Sequence, residues 1–224
     1  MAKLRYYAVR NGRKTGIFRH WEECKDQVVG FKDAEYKSFD NMKDAEDYLA
    51  QTFTEKERPA KKRRSKAEKI ADYTVVAENL SNEIPQGKMI AYIDGSYDAE
   101  RRRYSYGCVL IKSGNVTTHR AWGMRPEAAE ARNVAGELQA AMFAVKTTAA
   151  DGIKDITIYH DYYGISKWYE HKWKAQSFCA RHYLEFMDKF RPYMDIKFVK
   201  VEGHSGVPLN EYADLLAKEA LAEE

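Results

Sequence analysis

The sequence predicts an α/β domain with a mixed sheet flanked by helices, preceded by a small α+β domain with a three-stranded antiparallel sheet. Three observations predict it. Beyond residue 88, three strand-like runs joined by turns are followed by alternating helical and strand periods, the order of a mixed sheet covered by helices. Residues 3–53 hold short β-rich runs and two helical periods of their own. Between them, residues 54–69 carry eight Lys/Arg against three Glu and no apolar side chain larger than Ala, so they have no face to bury. The expected domains are 1–53 and 88–224, with a basic linker over 54–87 whose second half keeps some local structure.

In the first domain, Leu4 to Val9 is rich in β-formers, Asn11-Gly12 signals a turn, and Thr15 to Phe18 returns as a second strand. Trp21 to Val29 suits a short helix and Tyr36 to Phe39 a third strand. Asn41 then caps a helix with Ala45, Tyr48 and Leu49 on one face. In the second domain, strands are expected at Met89 to Ile93, Tyr104 to Lys112 and Val116 to Gly123, the last two joined by Ser113-Gly114-Asn115. A helix over 130–149, a buried strand at Ile156 to Tyr159, helices near 162–170 and 177–190, a strand near 194–201 and a helix over 208–221 complete it.

Composition excludes several classes. At 224 residues with 44% hydrophobic content the chain can fill a core, which rules out wholesale disorder. No apolar run approaches the ~20 residues of a membrane helix, and the start has no apolar signal-peptide core. Cys24, Cys108 and Cys179 lack metal-ligand spacing and read as reduced thiols of a cytoplasmic protein. The net charge of +3 is uneven: 54–69 alone is +5 and 70–224 is −3. The linker therefore reads either as a plain tether or as a strap for nucleic-acid phosphates.

Carboxylates stand where they cost energy. Val134, Leu138, Ala141, Met142 and Val145 form an apolar stripe, and Glu137 falls on the same side of that helix. Asp94 and Asp161 each close an apolar strand, and strand ends are where ligands gather in such sheets. Asp214 follows Asn210 and Glu211 early in the last helix. Singly, each has a structural explanation: an ion pair for Glu137, a turn for Asp94-Gly95, a cap for Asp161, the helix dipole for Asp214. Jointly, four carboxylates converging on one spot repel unless cations hold them. All-oxygen ligands suit Mg²⁺ or Mn²⁺, and a pair of such ions suits phosphoryl transfer.

Five motifs now fall in order: Tyr92-Ile93-Asp94-Gly95-Ser96, Asn133-Val134-Ala135-Gly136-Glu137-Leu138, Tyr159-His160-Asp161, Gly203-His204-Ser205-Gly206 and Asn210-Glu211-Tyr212-Ala213-Asp214. Over about 88–221 the chain resembles type 1 ribonuclease H. The resemblance implies a five-stranded mixed sheet, Asp94, Glu137, Asp161 and Asp214 as the catalytic metal-binding set, and His204 as a loop histidine that aids protonation or product release. It implies two Mg²⁺ per active site, with Mn²⁺ as the substitute.

The first domain resembles the hybrid-binding, or viroplasmin-like, domain through Tyr7-Ala8-Val9-Arg10-Asn11-Gly12-Arg13-Lys14-Thr15-Gly16-Ile17-Phe18, Trp21 and Tyr36-Lys37-Ser38-Phe39. Cations (Arg10, Arg13, Lys14, Lys37) alternate with rings, a composition suited to phosphates and to sugars or bases. The resemblance implies that Tyr7 and Lys37 touch an RNA/DNA duplex, with Trp21 and Tyr36 against the DNA strand. Ser38 stands where the family often has a second lysine, which predicts weaker binding. In the second domain, Arg132 and Asn133 are candidates for the DNA phosphate and the RNA 2′-OH.

The expected activity is endonucleolytic hydrolysis of the RNA strand of RNA/DNA hybrids, leaving 5′-phosphate and 3′-hydroxyl ends. The rivals are a hybrid-binding protein with weak or no nuclease activity and a DNA-directed nuclease of the same fold. No membrane and no obligatory protein partner are expected.

Overall fold

A computed structural model describes residues 5–50, 64–203 and 206–223. The chain divides at Arg63/Arg64 into two units.

In the first unit, β1 (Tyr6–Asn11), β2 (Gly16–Phe18), α1 (Trp21–Val28), β3 (Glu35–Phe39) and α2 (Met42–Ala50) follow one another. The sheet order is β2-β1-β3, all antiparallel. Val9, Cys24 and Val28 form its small core. Asn41 caps α2 as expected, its Oδ1 accepting from Asp44 N at 2.9 Å.

The second unit opens with a helix, α3 (Lys66–Glu83), where the sequence suggested a continuing linker. This corrects the expected 54–87 boundary. Ser65 and Glu68 form a reciprocal capping box, with Ser65 N donating to Glu68 Oε2 at 2.7 Å and Glu68 N to Ser65 Oγ at 3.2 Å. Ile70, Tyr73, Ala77 and Leu80 then recur at helical spacing and pack against the sheet. The basic cluster at 61–64 hid this start by dominating the local composition. Residues 51–63, with most of the expected basic strap, lie outside the described residues.

The rest is β4 (Lys88–Asp98), β5 (Arg103–Lys112), β6 (Asn115–Gly123), α4 (Pro126–Ala129), α5 (Asn133–Ala150), β7 (Asp155–His160), α6 (Gly164–Tyr169), α7 (Phe178–Phe190), β8 (Asp195–Lys200) and α8 (Pro208–Ala222). The five strands run β6-β5-β4-β7-β8, with β4–β7 and β7–β8 parallel and the other pairs antiparallel, which is the expected mixed sheet. One face packs on α5 and α7 through a large core that includes Ile93, Leu138, Ile158 and Tyr183. The other packs on α3 and α8 through Ala77, Val109, Ile111 and Leu216. The helix expected from 130 starts at 133 instead, because Arg132 takes a left-handed φ of +51° and interrupts the run from α4.

Two helices approach the strands closely enough to require glycine. A Cβ at Gly136 would stand 1.9 Å from the Ser105 carbonyl oxygen, and one at Gly107 would stand 2.0 Å from that of Ala213. These contacts fix the depth of α5 and α8 against β4 and β5.

Candidate active site

Parallel pairing puts Tyr92 opposite Tyr159, their rings stacked at 4.5 Å. Two residues further on, Asp94 and Asp161 come side by side; Asp161 directly follows β7, but β4 continues past Asp94 to Asp98, paired with β5, so Asp94 does not close its strand as expected. Glu137 reaches them from the start of the second turn of α5, where Gly95 admits the helix: a Cβ there would lie 2.3 Å from the Asn133 carbonyl oxygen. Asp94, Glu137 and Asp161 each place a carboxylate oxygen within 4.8 Å of the others. Asp214 enters from α8 and lines the same pocket, about 270 Å³ in volume, together with Gly95, Asn133 and Tyr162. It stands outside the tight trio and accepts a 2.6 Å bond from Lys218 Nζ, one turn along α8.

The electrostatics are those of a buried acidic cluster. Glu137 is 2% exposed and Asp94 7%. Burial first, then Asp161 and Asp94, push Glu137 up to about 9. Burial first, then Asp161 and Asp214, push Asp94 up to about 8, although Gly95 N donates to its Oδ1 at 2.7 Å. Glu137 Oε1 has only Asn133 Nδ2 at 3.5 Å, and its Oε2 is buried without a hydrogen-bond partner. A deeply buried carboxylate oxygen with no donor, among three other carboxylates, fits a hard divalent ion such as Mg²⁺ or Mn²⁺. No nitrogen or sulfur ligand joins the set among the described residues.

A family model described as RNase H matches residues 86–222, and one described as Ribonuclease H1 N-terminal domain matches 5–49. The chain belongs to the RNase H family. It is 27% identical to Ribonuclease H1 of Rattus norvegicus over 96% of this chain and 88% of that one, and 24% identical to Ribonuclease H of Schizosaccharomyces pombe over 99% and 98%. The crystal structure of RNase H1 from Halobacterium salinarum shares the fold, with a TM-score of 0.52 and 23% identity over 61% of this chain and 99% of that one. This RNase H is therefore a nuclease, a hydrolase whose acidic cluster sits where β7 ends beside the parallel strand β4. No helix among its described residues is long and apolar enough to cross a membrane.

The other expected site residues divide. His204 lies outside the described residues. Gly203 just before it runs against the cluster, since a Cβ there would lie 2.6 Å from Asp161 Oδ2. Arg132 and Asn133 are exposed, and Asn133 lines the pocket. In the first unit, Tyr7, Trp21 and Tyr36 form a continuous ring row, with centroids 5.6 and 5.7 Å apart, and Trp21 and Tyr36 face solvent. Lys14 is exposed. Lys37 pairs with Ala8, which puts it on the opposite side of β3 from Tyr36, and its ammonium sits 5.5 Å from the Phe39 ring.

Two cations are engaged internally. Arg13 Nη1 donates to the Asp26 and Val29 carbonyls at 2.9 Å each, tying down the end of α1. Arg10 donates to Glu35 and the Tyr48 carbonyl and lies over the Tyr48 ring. Sequence reasoning missed Tyr162, Lys218 and the close approach at Gly95. Lys218 was legible as a cation four residues after Asp214 on one helix; the other two needed the fold.

Proposed function

We propose that this RNase H is an endoribonuclease that hydrolyses the RNA strand of RNA/DNA hybrids, with two Mg²⁺ held by Asp94, Glu137, Asp161 and Asp214. The observation that carries the reading is the trio of carboxylates within 4.8 Å around an orphaned Glu137 oxygen. When bound, the ions supply activation of the attacking water and stabilisation of the leaving oxygen, which gives 5′-phosphate and 3′-hydroxyl ends.

The residues do the rest. Asp94 on β4 and Asp161 just after β7 bring negative charge together, and Glu137 of α5 adds a third carboxylate next to the ribose 2′-OH. Asn133, which lines the pocket, and the Gly136 backbone read 2′-OH groups, the feature that separates RNA from DNA. Arg132 holds a DNA phosphate, and His204 serves protonation or product release. The rings of Tyr7, Trp21 and Tyr36 anchor the duplex by stacking, aided by Lys14, while Lys37 stands on the other face of β3 from that row. Arg13 contributes chiefly by ordering α1. The three buried free thiols support a cytoplasmic location.

Cleavage of labelled RNA/DNA, DNA/DNA and RNA/RNA duplexes with Mg²⁺ tests the substrate; cutting confined to the RNA of the hybrid is expected, and equal cutting of DNA/DNA would overturn it. Asp161→Asn should lose activity while hybrid affinity, measured by fluorescence anisotropy, stays within about threefold, because phosphate and ring contacts dominate binding. Full activity in that variant would refute the site. Trp21→Ala should raise KM about tenfold with kcat unchanged, the loss of one stacking platform; steady-state kinetics on a hybrid decide it.

A further inference from the structure

Helix α3 falls in neither matched region, since it lies between residues 49 and 86. Yet it is built into the catalytic unit. Ala77 is fully buried, Ser81 nearly so, and the Ser81 carbonyl accepts from Gly114 N at 3.0 Å. Its strongest ties go to α8, the helix that carries Asp214. Tyr73 OH donates to Glu211 Oε2 at 2.7 Å, the Tyr73 ring lies 5.6 Å from that of Tyr212, and Lys66 Nζ pairs with Glu219 at 2.6 Å. From the opposite side, α8 is pressed onto β5 at Gly107 and held there by Ser105 Oγ donating to the Ala217 carbonyl at 2.7 Å.

The helix is thus gripped on two sides, and the grip of Tyr73 falls on Glu211, three residues and less than one turn before Asp214. Asp214 is also the one carboxylate of the pocket outside the tight trio, the one whose place depends on where α8 stands. We propose that Tyr73 is a positioning residue: through Glu211 it sets the first turn of α8 so that Asp214 meets the divalent ions, which makes α3 part of the functional nuclease. Burial and the Glu211 carboxylate push the Tyr73 hydroxyl up to about 12, so it remains a donor across the working pH range. The inference rests on the reading of Asp214 as a metal ligand.

The test uses the full chain and reads the midpoint of the Mg²⁺-induced rise in melting temperature, alongside KM and kcat on an RNA/DNA hybrid. Tyr73→Phe keeps the ring on Tyr212 and removes only the donor. It should raise the Mg²⁺ midpoint about tenfold, as loss of an outer hydrogen bond to a ligand-bearing element does, and lower kcat at fixed Mg²⁺ with KM unchanged. Glu211→Ala should match it, Glu211→Gln should retain most of the wild-type response, and Tyr73→Phe/Glu211→Ala should be no worse than either single change. A Tyr73→Phe protein with a lower metal-free melting temperature but the wild-type Mg²⁺ midpoint and kcat would overturn the proposal, leaving the metal-site reading intact. A wild-type protein with neither Mg²⁺ stabilisation nor hybrid cleavage would overturn both.

Discussion

Glu137→Gln should abolish hybrid cleavage and, without divalent ions, make the protein more stable. The activity loss is expected to be at least about a thousandfold, roughly 4 kcal/mol of transition-state stabilisation, because an amide cannot hold a cation as a carboxylate does. The stability gain follows from burial. In the folded protein Glu137 is pushed up to about 9, whereas an unfolded chain releases that proton near the ordinary value of 4.5. Below about pH 4.5 both states keep the proton and the group makes no difference to stability. As pH rises from there towards 9, only the unfolded state gives the proton up, so the metal-free wild type loses stability across that window.

Glutamine has no proton to keep. At pH 7 the variant should therefore gain on the order of 3 kcal/mol relative to the wild type, and near pH 4 the gain should vanish. Mg²⁺ should raise the wild-type melting temperature at pH 8 and leave that of the variant nearly unmoved. Thermal melts at pH 4 and pH 8, in EDTA and in Mg²⁺, decide the matter. A variant no more stable than the wild type in EDTA at pH 8 would show that the carboxylate already has a partner.

Gly136→Ala should be the most destabilising single methyl in the chain's active-site helix. The added Cβ would stand 1.9 Å from the Ser105 carbonyl oxygen and 3.2 Å from the Gly95 Cα, and backbone cannot swing aside as a long side chain does. Relief requires α5 to lift from β4 and β5, at a cost of about 3 kcal/mol or more. For a chain of this size that is roughly a 6–12 °C fall in melting temperature. Glu137 is the next residue, so the same displacement carries its carboxylate away from Asp94 and Asp161. Activity should fall well beyond what the folded fraction explains, when assayed at a temperature where the variant is still folded. Gly114→Ala is the control: its glycine sits in a turn at φ +66° with nothing within 4 Å, so it strains only its own backbone and should leave kcat unchanged.

The two variants separate the roles of neighbouring positions. Glu137 costs stability and supplies a carboxylate; Gly136 has no side chain, and its close packing on Ser105 sets where that carboxylate stands. A site of this kind is expected to break local rules of folding, since a buried charge cluster is useful only because it is unsatisfied until its cations arrive.

What the sequence by itself determined were the features written in local spacing. The period-2 runs, turn glycines and caps located the strands of both sheets and most helices, and an acidic side chain on the apolar stripe of α5 marked Glu137 as anomalous before any fold was known. Even α3 was legible in this way, through Ser65 and Glu68 at capping-box spacing ahead of Ile70, Tyr73, Ala77 and Leu80, although the neighbouring lysines and arginines masked it. Tertiary structure alone decided what depends on residues far apart in the chain. It joined Tyr73 to Glu211, 138 positions away, and closed α5 and α8 onto glycines of other elements. It tied Arg10 and Arg13 to backbone carbonyls of other elements and put Lys37 on the far side of its strand from the ring row. It also left Asp214 paired with Lys218 at the edge of the trio. Local patterns record which residues a helix or strand can bury. Distances between side chains on different elements are set by how deeply those elements pack, and no window of sequence contains both partners.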